Sequence, residues 1–139
     1  MTDREPSRVA GRVWPAALAA DLTAVLAFAA AGRRSHDEGL TAAGLAQTAW
    51  PFLTGTLVGW LLIRGWRRPT ALRPTGLTVW LCAVAIGMAL RKATGAGTAA
   101  GFIVVASVSI GALLLGWRAV PAAIRKRVLR GTGRRRSGS

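Results

Sequence analysis

Apolar stretches nearly free of charge alternate along this chain with short basic or glycine-containing segments, and four of them approach the length needed to cross a bilayer. They run 14–31, 40–63, 76–90 and 98–120. A helix rises about 1.5 Å per residue, so a hydrocarbon core about 30 Å thick takes about 20 mostly apolar residues. The third stretch is short and reaches the boundary when Arg91 and Lys92 snorkel outward or the bilayer thins locally. The pattern predicts an all-α fold, a four-helix transmembrane bundle over 14–120, preceded by a segment 1–13 and followed by a polybasic tail 121–139.

Charge gives the bundle a direction. Of 19 Lys and Arg, fifteen flank the apolar stretches on one side: Arg4, Arg8 and Arg12, then Arg64, Arg67, Arg68 and Arg73, then eight from Arg118 onward. Only Arg33, Arg34, Arg91 and Lys92 fall on the other. The positive-inside rule therefore predicts that both termini are cytoplasmic, in a multi-pass protein of the cell membrane. Indole rings favour the headgroup level, and Trp14, Trp60, Trp66, Trp80 and Trp117 all fall near the same predicted inner boundary, with Trp50 the exception near mid-membrane. Basic residues ahead of the first stretch superficially resemble a secretory signal. Pro15 and Asp21 interrupt that stretch and three more follow, which predicts an uncleaved first helix.

The formal net charge of +14 does not read as nucleic-acid binding, because the basic residues flank hydrophobic runs instead of interleaving with aromatics on one face. In the tail, Pro121 can open a helix with Val120, Ile124 and Val128 on one side and Arg125, Lys126, Arg127 and Arg130 around it. This segment, with Arg134–Arg136, is expected to contact anionic inner-leaflet lipids, and beyond Gly131 the chain is expected to be disordered. Cys82 is the single cysteine, and no Cys/His ligand spacing is present, so neither a disulfide, a metal nor another cofactor is expected. No nucleophile, base and orienting group stand together and no phosphate-binding loop occurs, so no enzymatic activity is expected.

Three places carry candidate chemistry. Asp21 stands seven residues into the first stretch, roughly 10 Å from the inner boundary. A charged Asp near a helix centre costs about 2.5–3.5 kcal/mol on the insertion scale, so Asp21 is expected to face the bundle interior. Residues at matching depth are Thr56, Cys82 and Ser109, with no Lys or Arg among them, and desolvation without a counter-ion would favour a protonated carboxyl. The second place is the cluster Arg33, Arg34, His36 and Arg91 at the outer face, an anion- or proton-sensing candidate whose simpler reading is a solvated loop. The third is Gln47, Trp50 and Pro51, where proline frees the Gln47 carbonyl and predicts a kink in the second helix. Small-residue spacings at Thr48, Gly55 and Gly59 and at Ser107 and Gly111 allow close helix packing, within the bundle or in a homo-oligomer. Asp21 suggests a small proton-linked transporter or permeability protein. The alternative is a non-transporting structural or assembly protein.

The combination of Asp21, Ala27-Phe28-Ala29, Gly32-Arg33-Arg34-Ser35-His36, Thr48-Ala49-Trp50-Pro51-Phe52 and Gly59-Trp60 resembles the family of bacterial and archaeal membrane proteins termed domain of unknown function 3054. Val79-Trp80, Gly87-Met88-Ala89-Leu90-Arg91, Phe102-Ile103-Val104-Val105-Ala106 and Gly116-Trp117-Arg118 extend the resemblance to roughly residues 21–118. It implies a multi-pass membrane protein and brings no activity or catalytic residue with it.

Overall fold

The structure, a computed structural model, describes residues 5–35 and 38–136. Four long helices follow one another: α1 (Glu5–Ser35), α2 (Ala42–Ile63), α3 (Leu77–Ala93) and α4 (Ala100–Arg136). A single 3-10 turn at Gly65–Arg67 and a wide turn at Leu72–Gly76 shape the α2–α3 connection. The chain runs up, down, up and down. Val13 of α1 and Pro121 of α4 therefore line one cavity at the end carrying the termini, while Phe28 and Phe102 line another at the opposite end.

Three helical segments are long and apolar enough to cross a membrane: Val13–Ser35, Leu72–Ala93 and Ala100–Gly133. The short third stretch of the sequence thus gains its length from the wide turn that precedes α3. The second stretch, now α2, is not among these segments. Its 22 residues carry no charge, but Gln47, Thr48, Trp50, Pro51, Thr54 and Thr56 dilute its hydrophobicity. Both end helices outrun the predicted stretches. α1 begins at Glu5, and α4 continues through Pro121 and Gly131 to Arg136, where a separate helix and a disordered end were expected. Thirty-seven residues of α4 extend about 55 Å, well beyond a hydrocarbon core of about 30 Å. The described side chains past Val120 are exposed, Ile124, Val128 and Leu129 among them.

Polar caps set the helix ends. Thr41 opens α2 by accepting the Gly44 N–H at 3.1 Å, and Arg64 closes it in the left-handed region at φ 52°, its own N–H bonding back to the Leu61 carbonyl. Within α2, Thr54 and Thr56 return their hydroxyls to the carbonyls of Trp50 and Phe52, both at 2.8 Å. This removes the cost of placing those hydroxyls among apolar neighbours. α2 continues unbroken through Pro51, which is buried, while Trp50 and Gln47 face outward.

The small-residue spacings resolve as contacts inside the chain. A Cβ built on Gly55 would lie 2.5 Å from the Cys82 carbonyl oxygen and 2.8 Å from the Ala83 Cα, and one on Gly59 would lie 2.9 Å from the Val79 Cα. α2 and α3 thus meet backbone to backbone. On α4, Gly111 makes room for Trp80, whose indole N–H donates to the Ser107 carbonyl at 2.9 Å. The core between these contacts joins Val25, Phe28, Phe52, Val79, Ala83, Ala106, Ile110 and Leu114. Phe28 meets Phe52 edge-on at 5.5 Å, and Gly87 leaves the space that the Phe52 ring fills.

Candidate functional site

Asp21 is fully buried on α1, and so is Arg118 on α4. The two form a bidentate pair: Arg118 Nη1 donates to Oδ1 at 2.8 Å and Nη2 to Oδ2 at 2.7 Å. Two indoles complete the shell. Trp60 Nε1 donates to Oδ2 at 2.8 Å and Trp117 Nε1 to Oδ1 at 2.9 Å. The carboxylate therefore accepts four N–H groups drawn from α1's two partners, α2 and α4. Arg118 also donates Nη1 to the Leu114 carbonyl at 2.9 Å and Nε to the Pro69 carbonyl at 3.2 Å, and its guanidinium lies 4.5 Å from the Trp117 ring centre. Gly65 and Gly76 admit this assembly. A Cβ on Gly65 would meet the Trp60 ring at 2.5 Å, and one on Gly76 the Arg118 stem at 2.9 Å.

The counter-ion corrects the sequence expectation, which found no Lys or Arg at the depth of Asp21. Counting along helix axes places Arg118 just inside the inner end of its stretch, where it counts as a topology charge. Side chains lean toward the N-terminus of their own helix. Because α1 and α4 are antiparallel, Asp21 leans toward the end where α1 begins and the long Arg118 stem leans away from it, so the two converge along the helix axes. Thr56, Cys82 and Ser109 do not join them. Thr56 is buried and bonded to its own helix, Cys82 is half-buried against the α2 glycines, and Ser109 is half-buried on α4. Nor do the tryptophans simply mark a headgroup level: Trp60, Trp80 and Trp117 turn their N–H groups into the bundle, and Trp14 and Trp66 are the more exposed ones.

At the opposite end, Arg33 and Arg91 share a cavity of about 280 Å³ with Glu38, Thr48, Phe28 and Phe102. Each arginine mostly ties down its own loop. Arg33 donates to the carbonyls of Glu38 and Gly39, to the Glu38 carboxylate at 3.2 Å and to the Thr48 hydroxyl, which staples the α1–α2 loop onto α2. Arg91 donates to the carbonyls of Ala96 and Gly97 while lying 4.4 Å over the Phe102 ring. Gly97 takes φ 78°, a conformation that favours glycine, and so presents its carbonyl to Arg91. Arg34 is exposed and lies outside that cavity wall, and His36 is outside the described residues.

Among the described residues no buried side-chain nitrogen or oxygen lacks a hydrogen-bond partner. The Asp21 shell is therefore sensitive to the loss of a single donor. Trp117→Phe keeps an aromatic ring beneath the guanidinium but removes the indole N–H and leaves Oδ1 with Arg118 alone, and should cost about 1–3 kcal/mol of stability. The thermal midpoint of the purified protein in detergent measures this, and an unchanged midpoint would mean the indole bond contributes nothing.

No curated protein and no solved structure matches the chain. The family model described as protein of unknown function DUF3054 matches residues 18–121, a span that contains Asp21, Trp60, Trp117 and Arg118. The chain belongs to the DUF3054 family.

Proposed function

We propose that this chain is a four-span protein of the cell membrane, with both termini on the cytoplasmic side, whose Asp21–Arg118 pair clamps the bundle shut and does not carry protons through it. The observation behind this reading is the four-donor shell on Asp21. A relay carboxylate needs an acceptor or a water path for its proton, whereas each oxygen here faces only N–H groups, two of them from a guanidinium. A buried pair of this kind fits a structural or assembly role better than the proton-linked transporter that an unpaired Asp21 would suggest.

Support for α2 as the fourth span is physical. Its 22 residues cover about 33 Å, it carries no charge, its threonines are satisfied within the helix, and its glycines press it against α3. With four crossings the basic α2–α3 turn and the basic end of α4 stand on one side, as the positive-inside rule requires. On that side Arg125, Lys126, Arg127 and Arg130 come within reach of anionic headgroups.

Two measurements test the reading. Reporter fusions after Ser139 and beside Ser35 should report opposite sides, and matching reports would remove either the fourth span or the orientation. In proteoliposomes the wild type should move no more protons than empty vesicles. A flux that Asp21→Asn abolishes in folded protein would restore the transporter reading.

A further inference from the structure

The arginines of the α2–α3 turn do more than set orientation, because the fold gathers them with one from α4. A cavity of about 720 Å³ opens at the end bearing the termini, and four arginines stand in its wall: Arg67, Arg68 and Arg73 from the turn and Arg125 from α4. Its described lining holds no carboxylate. Of the five acidic residues, Asp21 is committed to Arg118 and Glu38 lies at the opposite end with Arg33, while Asp3, Glu5 and Asp37 fall outside the described side chains. The four side chains are exposed, and like charges gathered around one space raise the local positive potential and draw an anion toward it.

The backbone that holds them is fixed from below. Arg118 takes the Pro69 carbonyl, Thr75 donates to the Arg68 carbonyl at 2.7 Å, and the Gly76 N–H bonds to the Ala71 carbonyl at 3.0 Å. The clamp that joins α1 to α4 thus also sets the floor of the arginine cavity. Such a pre-set frame lowers the ordering cost of binding.

Leu72 and Arg73 belong as well to a second cavity of about 490 Å³, an apolar groove along α4 from Gly111 to Ala119 that Leu77 and Leu115 also line. Small residues, Ala112, Gly116 and Ala119, line it along α4, and a Cβ on Gly116 would meet nothing within 4 Å. The groove covers about 12 Å of helix, toward the bilayer centre from the arginines. Cation cluster and groove are continuous, one at headgroup level and one at hydrocarbon depth. A soluble phosphate would use only the first.

We propose that the two cavities form one site for an anionic phospholipid, its phosphate among Arg67, Arg68, Arg73 and Arg125 and one acyl chain along the Gly111–Ala119 groove. This rests on the membrane reading above but differs from general attraction of the basic tail to a charged leaflet. It requires particular arginines of the turn and a particular empty strip of α4.

The test uses the full chain, purified in detergent and stripped of lipid. Native mass spectrometry then counts retained phosphatidylglycerol against phosphatidylcholine of the same acyl chains, with inorganic pyrophosphate as the soluble competitor. The wild type should prefer phosphatidylglycerol, and pyrophosphate should not displace it. Each guanidinium near a charged headgroup is worth about fivefold, so Arg67→Gln with Arg73→Gln should lower the preference by roughly 25-fold. Gly116→Leu should fill the groove and reduce retention of both lipids without lowering the thermal midpoint. The proposal is overturned by an unchanged preference in the double arginine variant or by full displacement with pyrophosphate. It also fails if the preference disappears only when Arg134, Arg135 and Arg136 become Gln. Fractionation keeps the two readings apart: a chain absent from membranes contradicts the membrane reading, whereas a membrane-embedded chain without lipid preference contradicts this site alone.

Discussion

Arg118→Met should cost about 3–5 kcal/mol of stability, the usual penalty for removing one partner of a buried ion pair. The substitution retains the lower stem, so packing against Gly76 is largely kept, while the guanidinium over the Trp117 ring is lost with the charge. What changes is charge. Asp21 would be left at 0% exposure with two indole donors and no counter-ion, and the Pro69 carbonyl would lose its Nε partner. Domains are stable by about 5–15 kcal/mol in total, so the variant should be visibly depleted from membranes and melt far below the wild type. Asp21→Asn combined with Arg118→Met removes both charges while leaving an amide oxygen to accept an indole N–H. If the pair acts as a clamp, the double variant should be more stable than Arg118→Met alone, because the single change leaves an orphaned charge and the double does not. Strictly additive losses would show that the two residues do not act on each other.

The clamp also ties stability to the shape of the α2–α3 turn. Through Pro69, Arg118 holds the turn that bears Arg67 and Arg68, so the Arg118→Met variant should lose order in this turn as well as in the bundle. The turn's other anchor, the Thr75 hydroxyl on the Arg68 carbonyl, is independent of the pair. Damage should therefore centre on Pro69 and be weaker toward Gly76.

Hydropathy was enough to read the helices, because an apolar run near 20 residues has few other uses. It misjudged their ends, since a helix does not stop where the apolar run does: α1 begins at Glu5 and α4 continues to Arg136, both on basic sequence. Asp21 was legible as a costly residue that must face inward. Its partners were not, for a geometric reason. Depth counted in Cα steps treats side chains as points, whereas Arg118, Trp60 and Trp117 reach Asp21 through long stems from three or more positions away along the membrane normal. Had stem direction been added to the count, Arg118 would have emerged as the one cation inside the last stretch on a helix antiparallel to α1. The arginine cavity escaped for a different reason, because the charges of the α2–α3 turn serve equally well as orientation signals and only the fold brings Arg125 beside them.

Gly55→Leu should damage the fold about as much as breaking the ion pair, by a purely steric route. A Cβ at this position would sit 2.5 Å from a carbonyl oxygen and 2.8 Å from a Cα of α3. Both neighbours are backbone, so no rotamer change can relieve the overlap, and α2 must move off α3 along its length. Overpacking usually costs about 1–3 kcal/mol and exceeds that where nothing can yield, so a loss of about 3 kcal/mol or more is expected. Movement of α2 would also carry Trp60 away from Asp21, since both Gly55 and Trp60 sit on the buried side of the same helix. Gly101→Leu provides the matched control: it makes the same change in a helix of the same protein, where an added Cβ meets nothing within 4 Å, and it should leave the thermal midpoint unchanged. Equal midpoints for the two variants would mean that α2 and α3 are not in backbone contact. The small-residue face of α2 would then be free to pair with a second copy of the chain, and the oligomeric state of the Gly55→Leu variant would show whether it does.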